Sequence, residues 1–336
     1  MTDPGGPDRF HGGDDSVANR WPNAPRPILD LSTGINPFSY PLERLAKLVW
    51  VRLPQREAEN QLKHALADYL GLTGIDTLAL APGSQILINQ LPFLFDRGPV
   101  FVSQPTYGEH ASCWARAGHQ VTGVQGWDEP HDEGTFVVVT NPNNPDGRQI
   151  DRKRLIDIAR SRGGYLVVDE AFADLAPDIS VVDLVQELPV IVLRSFGKFF
   201  GHAGVRLGVM VAAPDLCSRM RDRLGPWCVS GPALAIASKA YSDRQWIANT
   251  RARLKVAAAQ LDRLLLEPGL DLIGGTDLFR LVAHPRARAI YEGLGSRGVL
   301  VRPFEDHPNW LRIGLPSDEA AQQRLVSALK ETLSDV

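Results

Sequence analysis

Short apolar runs alternate with amphipathic helical patterns over most of the chain. Six of these runs, four to six residues long, predict strands that are buried on both faces of a sheet. They cover residues 78–81, 100–103, 136–140, 165–169, 190–194 and 207–212. One intervening helical pattern, 151–162, opens on Asp151 as a candidate N-cap and stops at Gly163 and Gly164. This alternation predicts an α/β fold with a doubly wound, mostly parallel sheet.

A long helical pattern at 243–267, ended by Pro268 and Gly269, leads into a region of a different kind. Strand patterns and a closing helix follow it, at 278–282, 299–302, 311–314 and from Asp318 onward. The sequence therefore predicts three parts. Residues 1–45, rich in Gly and Pro, form an N-terminal arm that packs with the small domain. Residues 46–240 form a large domain, and residues 241–336 a smaller α+β domain.

Composition places the chain among ordinary globular proteins, with 44% hydrophobic and 22% charged residues out of 336. The net charge of −3 gives no reason to expect nucleic acid as a partner. The apolar runs are too short to cross a membrane, and the polar first residues without an apolar stretch lead us to expect no secretory signal. Three cysteines (Cys113, Cys217 and Cys228) without CxxC spacing predict neither a zinc site nor disulfides. We therefore expect a cytoplasmic protein without a metal.

Polar residues follow the predicted strands at their carboxyl ends, where open α/β sheets bind ligands. Asp169 and Glu170 follow one strand, and the segment NPNNPDG (141–147) follows another. A carboxylate there can keep the pyridine nitrogen of pyridoxal phosphate protonated, and an Asn side chain can donate to its ring 3-oxygen. The alternatives are a helix N-cap for the acidic pair and a plain turn for the Asn-rich segment.

The segment SFGKFFGHAGVR (195–206) follows a third strand and carries Lys198, whose amine can form an imine with an aldehyde. Ser195 and Arg206 in the same segment can hold a phosphate. A basic, Gly-rich loop in solvent is the alternative.

The segment APGSQ (81–85) follows a fourth strand, and Gly83 there allows the backbone to approach a phosphate. The alternative for this segment is an ordinary strand-to-helix turn capped by Ser84. Tyr107 in the turn PTYG can stack on a cofactor ring, or can be a half-buried core residue. The order of all these motifs favours pyridoxal phosphate as the cofactor.

From about residue 28 onward the chain resembles the fold-type-I aminotransferase superfamily, in the order phosphate loop, stacking Tyr, N-P-x-G, D-E-A, S-x-x-K and distal Arg. The resemblance implies an aminotransferase-like large domain, with Lys198, Asp169 and Tyr107 as catalytic residues. It also implies a full set of cofactor-binding residues: Gly83, Ser84, Gln85, Tyr107, Asn144, Asp169, Ser195, Lys198 and Arg206. The distal arginine, Arg312, would bind the substrate α-carboxylate. A homodimer is a further expectation of this resemblance.

Three stretches resemble the histidinol-phosphate aminotransferase branch, and within it the threonine-phosphate decarboxylases of cobalamin biosynthesis. They are HGGD from His11, DLSTGINP from Asp30 and GVLVRPF from Gly298. The resemblance implies decarboxylation of L-threonine O-3-phosphate to (R)-1-amino-2-propanol O-2-phosphate. Arg302, His11 and Asn36 would then bind the substrate phosphate.

Two positions depart from the pattern of related transaminases. Phe172 stands where they carry a tyrosine that donates to the ring 3-oxygen, which favours the decarboxylases. Leu53, before Pro54, stands where many aminotransferases present a tyrosine to the phosphate of the neighbouring subunit.

Three other functions remain as alternatives. One is an aminotransferase that acts on histidinol phosphate or an aromatic amino acid, and another is a non-catalytic ligand-binding module. The third, a nicotinamide-binding enzyme, is disfavoured because no GxGxxG follows the first strand.

Overall fold

The structure is a computed structural model that describes residues 12–13, 19–125, 136–161 and 163–335. The chain divides into two compact units. The large unit consists of residues 38–251. The small unit combines the described residues before position 38 with those from position 252 onward.

Strands and helices are numbered in chain order. The strands are β1 Leu29–Asp30, β2 Leu78–Ala81, β3 Pro99–Ser103, β4 Gln120–Val124, β5 Phe136–Thr140, β6 Leu166–Asp169, β7 Val190–Ser195, β8 Gly208–Val211, β9 Asp271–Thr276, β10 Phe279–Ala283, β11 Val299–Leu300, β12 Arg302–Pro303 and β13 Trp310–Gly314. The α-helices are α1 Lys47–Val51, α2 Arg56–Leu70, α3 Ser84–Gln90, α4 Glu109–Arg116, α5 Arg152–Arg160, α6 Phe196–Phe199, α7 Pro214–Leu224, α8 Gly231–Ser242, α9 Arg244–Leu266, α10 Ala287–Ser296 and α11 Glu319–Asp335. Short 3-10 helices are formed by Leu91–Leu94, Ala173–Leu175, Pro177–Ile179, Val182–Leu184 and Ala203–Val205.

The large unit contains a seven-stranded sheet in the order β2-β8-β7-β6-β5-β3-β4. The five strands from β7 to β4 are parallel, whereas β8 runs antiparallel to both of its neighbours. The central strands β5, β6 and β7 are buried along their whole length. The prediction of an α/β fold with a mostly parallel sheet is therefore confirmed, and the carboxyl ends of β5, β6 and β7 lie at one edge.

All six predicted strands of this sheet are present, but β4 is missing from the prediction. Of its five residues only Val124 is buried, because β4 is an edge strand, so it shows no continuous apolar run. The predicted start of helix α5 is also present. The Asp151 side chain accepts a hydrogen bond from the backbone N–H of Lys153, as an N-cap does.

The small unit contains an antiparallel sheet in the order β12-β13-β10-β9 and a two-stranded parallel pair, β1 with β11. Through that pair the chain before position 38 joins the small unit, with Leu29 opposite Val299. The predicted strand at 299–302 is two short strands, because β11 pairs with β1 while β12 pairs with β13. Strand β9 was not predicted, since its sequence DLIGGT contains two glycines and its first three residues are exposed.

None of the helices in the described part of the chain combines the length and the hydropathy that a membrane crossing requires.

Candidate active site

The Asp169 carboxylate is buried at the carboxyl end of β6 and is held at both of its oxygens. Oδ2 lies 2.8 Å from Nε2 of His110 on helix α4, which is itself buried. Oδ1 accepts a hydrogen bond from the backbone N–H of Ala171 at 3.0 Å. The local capping contact that the sequence suggested as an alternative is therefore present, together with a second, distant partner.

Tyr107 connects the phosphate-loop candidate to this carboxylate. Its hydroxyl donates to Oε1 of Gln85 at 2.9 Å, and Gln85 donates in turn to Oδ1 of Asn89 at 3.1 Å. The Tyr107 ring meets the His110 ring edge-on, with 6.1 Å between the ring centroids. The structure thus brings Gln85, Tyr107 and Asp169 into one chain of contacts.

The turn that carries Asn144 is fixed by its neighbours rather than by backbone hydrogen bonds alone. Thr106 donates to Oδ1 of Asn143 at 2.7 Å, and Nδ2 of Asn143 donates to the carbonyl of Pro105 at 2.9 Å. Arg148 also donates to that carbonyl, at 3.1 Å. These contacts hold the Asn144 turn against the loop that leads into Tyr107, so this segment is more than a surface turn.

Lys198 lies on the four-residue helix α6, directly after β7. The aromatic residues around it, Phe196, Phe199 and Phe200, are fully buried and fix this helix in the core. The Lys198 Nζ lies 5.8 Å from the centroid of the Phe172 ring, which follows β6. The segment is therefore not a basic, Gly-rich loop in solvent, which was the alternative raised by the sequence.

Gly83, Ser84 and Arg206 meet where β2 and β8 run side by side. A Cβ atom on Gly83 would lie only 2.5 Å from Nη2 of Arg206, so the guanidinium packs directly on this glycine. A Cβ atom on Gly208 would clash with the backbone nitrogen of Ser84. Gly208 pairs with Ser195 across the sheet, which places that hydroxyl-bearing residue next to the same point. We call this group, formed by Gly83, Ser84, Ser195, Gly208 and the Arg206 guanidinium, the arginine cradle.

Arg312 and Arg302 lie directly opposite each other on β13 and β12 of the small unit. Arg312 is buried, and its Nη2 donates to the backbone carbonyl of Ser32 at 2.8 Å. The Ser32 hydroxyl also accepts from the backbone N–H of Gly13 at 2.9 Å, and Asn36 is buried in the same unit. His11 lies outside the described residues. Two guanidinium-bearing residues directly opposite each other concentrate positive charge at this point of the small unit.

Sequence reasoning did not find His110, although it contacts Asp169. The signal was present but weak: His110 lies three residues after Tyr107, where a new helix begins, and a lone histidine on a helix is usually a core residue.

A mostly parallel sheet with a lysine, a buried carboxylate and an arginine cradle at its strand ends defines a pyridoxal-phosphate enzyme of the aminotransferase fold. Residues 28–329 match the family described as aminotransferase class I and II. The chain belongs to this family.

Three similar proteins refine this assignment. A threonine-phosphate decarboxylase from Sinorhizobium sp is 44% identical over 325 residues, which cover 95% of this chain and 96% of that protein. A threonine-phosphate decarboxylase from Pseudomonas aeruginosa is 42% identical over 306 residues, covering 90% and 91%. The crystal structure of histidinol-phosphate aminotransferase from Sinorhizobium meliloti, in complex with pyridoxal-5'-phosphate, superposes with a TM-score of 0.82 at 22% identity. It covers 98% of this chain and 96% of that one.

Replacement of Gly83 tests the arginine cradle. Gly83→Ala is expected to displace the Arg206 guanidinium and to weaken binding of pyridoxal phosphate about tenfold, the equivalent of one charge-assisted hydrogen bond. The measurement is a fluorescence or absorbance titration of the apoprotein with the cofactor.

Gly71→Ala is the matched control. Gly71 also has a positive φ, 71° against 95° for Gly83, but a Cβ atom there would meet nothing within 4 Å. Both variants are expected to lose on the order of 1–2 kcal/mol of stability from backbone strain. Equal cofactor affinity in the two variants would contradict the cradle.

Proposed function

We propose that the protein catalyses the pyridoxal-phosphate-dependent decarboxylation of L-threonine O-3-phosphate to (R)-1-amino-2-propanol O-2-phosphate, in cobalamin biosynthesis. The observation that carries this proposal is that two relatives named threonine-phosphate decarboxylase match at least nine-tenths of the chain at 42–44% identity. Six histidinol-phosphate aminotransferases among its relatives are 26–33% identical.

The large unit supplies the residues that we assign to the cofactor. Pyridoxal phosphate, when bound, would supply a ring that withdraws electrons from the substrate Cα. We assign Lys198 as the residue that binds the cofactor covalently and Asp169 as the partner of the pyridine nitrogen. In this assignment Tyr107 would stack on the ring and Asn144 would donate to the 3-oxygen. His110 holds the Asp169 carboxylate in its orientation.

The positive charge of the arginine cradle and its potential donors support its assignment to the cofactor phosphate. Gly83 leaves room for the Arg206 guanidinium, Ser84 is next in the chain, and Ser195 pairs with Gly208, so both serines can contribute hydroxyl donors. Gln85 accepts a hydrogen bond from the Tyr107 hydroxyl. This contact helps to fix the orientation of the ring that we assign to stacking.

The small unit supplies the residues that we assign to the substrate. Arg312 binds the α-carboxylate, while Arg302, Asn36 and His11 bind the phosphate. A substrate with two anionic groups suits two guanidiniums on adjacent strands. In the proposed reaction the amine of Lys198 donates a proton to Cα after carbon dioxide has left.

The proposed reaction is tested by incubating the protein with threonine phosphate, with and without 2-oxoglutarate. We expect carbon dioxide release that does not depend on the keto acid, because decarboxylation needs no amino-group acceptor. Glutamate formation that requires 2-oxoglutarate would instead support the aminotransferase alternative and contradict the proposal. Lys198→Ala is the control, with an expected loss of at least about a hundredfold in rate.

Phe172 sets a second expectation. Phe172→Tyr adds a hydroxyl to a ring whose centroid lies 5.8 Å from the Lys198 Nζ, and is expected to add a donor to the ring 3-oxygen. This lowers the proton affinity of the lysine nitrogen bound to the cofactor, so its pKa falls by on the order of one unit. The measurement is the pH midpoint of the visible absorbance change. Phe172→Leu, which removes the ring without adding a donor, is expected to leave the midpoint near that of the parent; a Tyr variant with the same midpoint would contradict the assignment.

We also propose that the protein is a homodimer whose interface includes residues 42–53. This segment exposes several large apolar side chains close together: Leu42, Leu48, Trp50, Val51 and Leu53. A contiguous exposed apolar patch is typical of a subunit contact. Leu53 itself is exposed, so the position where related enzymes present a tyrosine faces outward.

Trp50→Glu is expected to shift the protein from dimer to monomer, because the charge would be buried at the contact. Sedimentation equilibrium measures the mass. Val256→Glu is the matched control, since Val256 is 60% exposed and Trp50 65%, but Val256 lies outside the segment. A monomeric parent protein would overturn the proposal.

We further propose a cytoplasmic location. It rests on the three cysteines, all of which are free thiols, two of them buried. Fractionation of cells that express the protein tests it, and recovery outside the cytoplasmic fraction would contradict it.

A further inference from the structure

A buried ion network lies beside the ends of β6 and β7. Glu170, the residue after Asp169, is fully buried, and each of its carboxylate oxygens has a donor. Oε2 accepts from Nη1 of Arg194 at 2.7 Å and from the Ser180 hydroxyl at 2.6 Å. Oε1 accepts from the backbone N–H of Val181 at 2.9 Å.

Arg194 joins this carboxylate to a second one. Its Nη2 donates to Oδ1 of Asp174, which also accepts from the Tyr69 hydroxyl of helix α2 at 2.9 Å. Arg251 of helix α9 donates to the same hydroxyl at 3.0 Å and to the Asp174 carbonyl at 2.6 Å. Two carboxylates and two guanidiniums therefore balance one another, and the network reaches from the sheet to two helices.

Residues of the network and residues of the candidate site alternate along β6 and β7. Asp169 is opposite Leu193 in the sheet, and the backbone N–H of Glu170 donates to the Leu193 carbonyl at 2.8 Å, which continues the ladder by one residue. Successive strand residues point to opposite faces. Asp169 and Ser195 thus point to one face, and Glu170 and Arg194 to the other. Each strand end carries one site residue and, next to it, one network residue.

We propose that Glu170, Arg194 and Asp174 are positioning residues, which fix the ends of β6 and β7 so that Asp169 and Lys198 keep the separation that the cofactor requires. The inference rests on the proposed function, because it assigns these two residues to the cofactor. Lys198 is only four residues beyond Arg194 in the chain.

Energetics favour a positional role over simple stabilisation. A buried ion pair gains little over apolar packing of the same volume, because both charges lose their hydration. An arginine that bridges two carboxylates does fix their relative orientation, since its donors form a rigid fork. Burial raises the pKa of the Glu170 carboxyl, and the adjacent Arg194 guanidinium opposes that rise. A displacement of the reacting groups by as little as about 1 Å removes much of an enzyme's activity.

The test compares Arg194→Lys with the parent protein in cofactor binding rather than in decarboxylation. A lysine keeps the charge but cannot bridge both carboxylates. We expect roughly tenfold weaker binding of added pyridoxal phosphate, the size of effect that outer-shell substitutions have at metal sites. We also expect a shifted pH midpoint of the visible absorbance. Asp174→Asn keeps an oxygen that can accept from Arg194 and Tyr69 but removes one charge, so it is expected to weaken cofactor binding less than Arg194→Lys does.

Arg280→Lys is the matched control for stability. Arg280 makes a two-pronged contact with Asp262 in the small unit, including an Nη2–Oδ2 distance of 3.1 Å, and touches none of the assigned residues. Urea unfolding of both lysine variants shows how much stability each loses. If Arg194→Lys does not fold, Tyr69→Phe replaces it and is expected to show a smaller change in the same direction.

An Arg194→Lys protein with the parent's cofactor affinity and pH midpoint, and only a loss of stability like that of Arg280→Lys, would overturn the positioning role. If Tyr69→Phe is used instead, an unchanged cofactor affinity and pH midpoint in that variant would also overturn the positioning role. A parent that binds no pyridoxal phosphate would overturn both the role and the proposed function. A parent that binds the cofactor normally but does not decarboxylate threonine phosphate would overturn only the proposed function.

Discussion

Consecutive residues at the ends of β6 and β7 point to opposite faces of the sheet, and the organisation of the large unit follows from this geometry. Asp169 and Ser195 point to one face, and Glu170 and Arg194 lie among buried partners on the other. A shift of either strand by a single residue would exchange the two sets and place a buried ion pair where a ligand has to bind. The pairing register is thus a functional property as well as a structural one.

Aromatic packing supplies the second support of the site. Helix α6 is only four residues long, and a helix of that length has little stability of its own. The Phe200 ring stacks on Phe196, with 4.6 Å between the centroids, and on Trp246 of helix α9 at 5.6 Å. These contacts hold the helix on both sides of Lys198, so the lysine projects from a rigid base even though glycines surround it in the sequence.

Strands with two buried faces could be predicted from the sequence because each gives a continuous apolar run, whereas the exposed strands β4 and β9 could not. The residues that we assign to the cofactor follow predicted strands or stand in recognisable turns, so their order alone indicated a site. The contact between His110 and Asp169 joins positions 59 residues apart, and no local pattern encodes it. The network around Glu170 was hidden for the same reason. The predicted domain limits and site roles stay predictions.

The two arginines that face each other on β12 and β13 have a consequence for selectivity. A ligand with a single anionic group can bind only one of the two guanidiniums through a charged contact. A ligand with a second anion satisfies both. In the proposed reaction we therefore expect free threonine to bind more weakly than its phosphate ester. The phosphate thus serves in substrate recognition through its negative charge. The proposed reaction leaves it unchanged in the product.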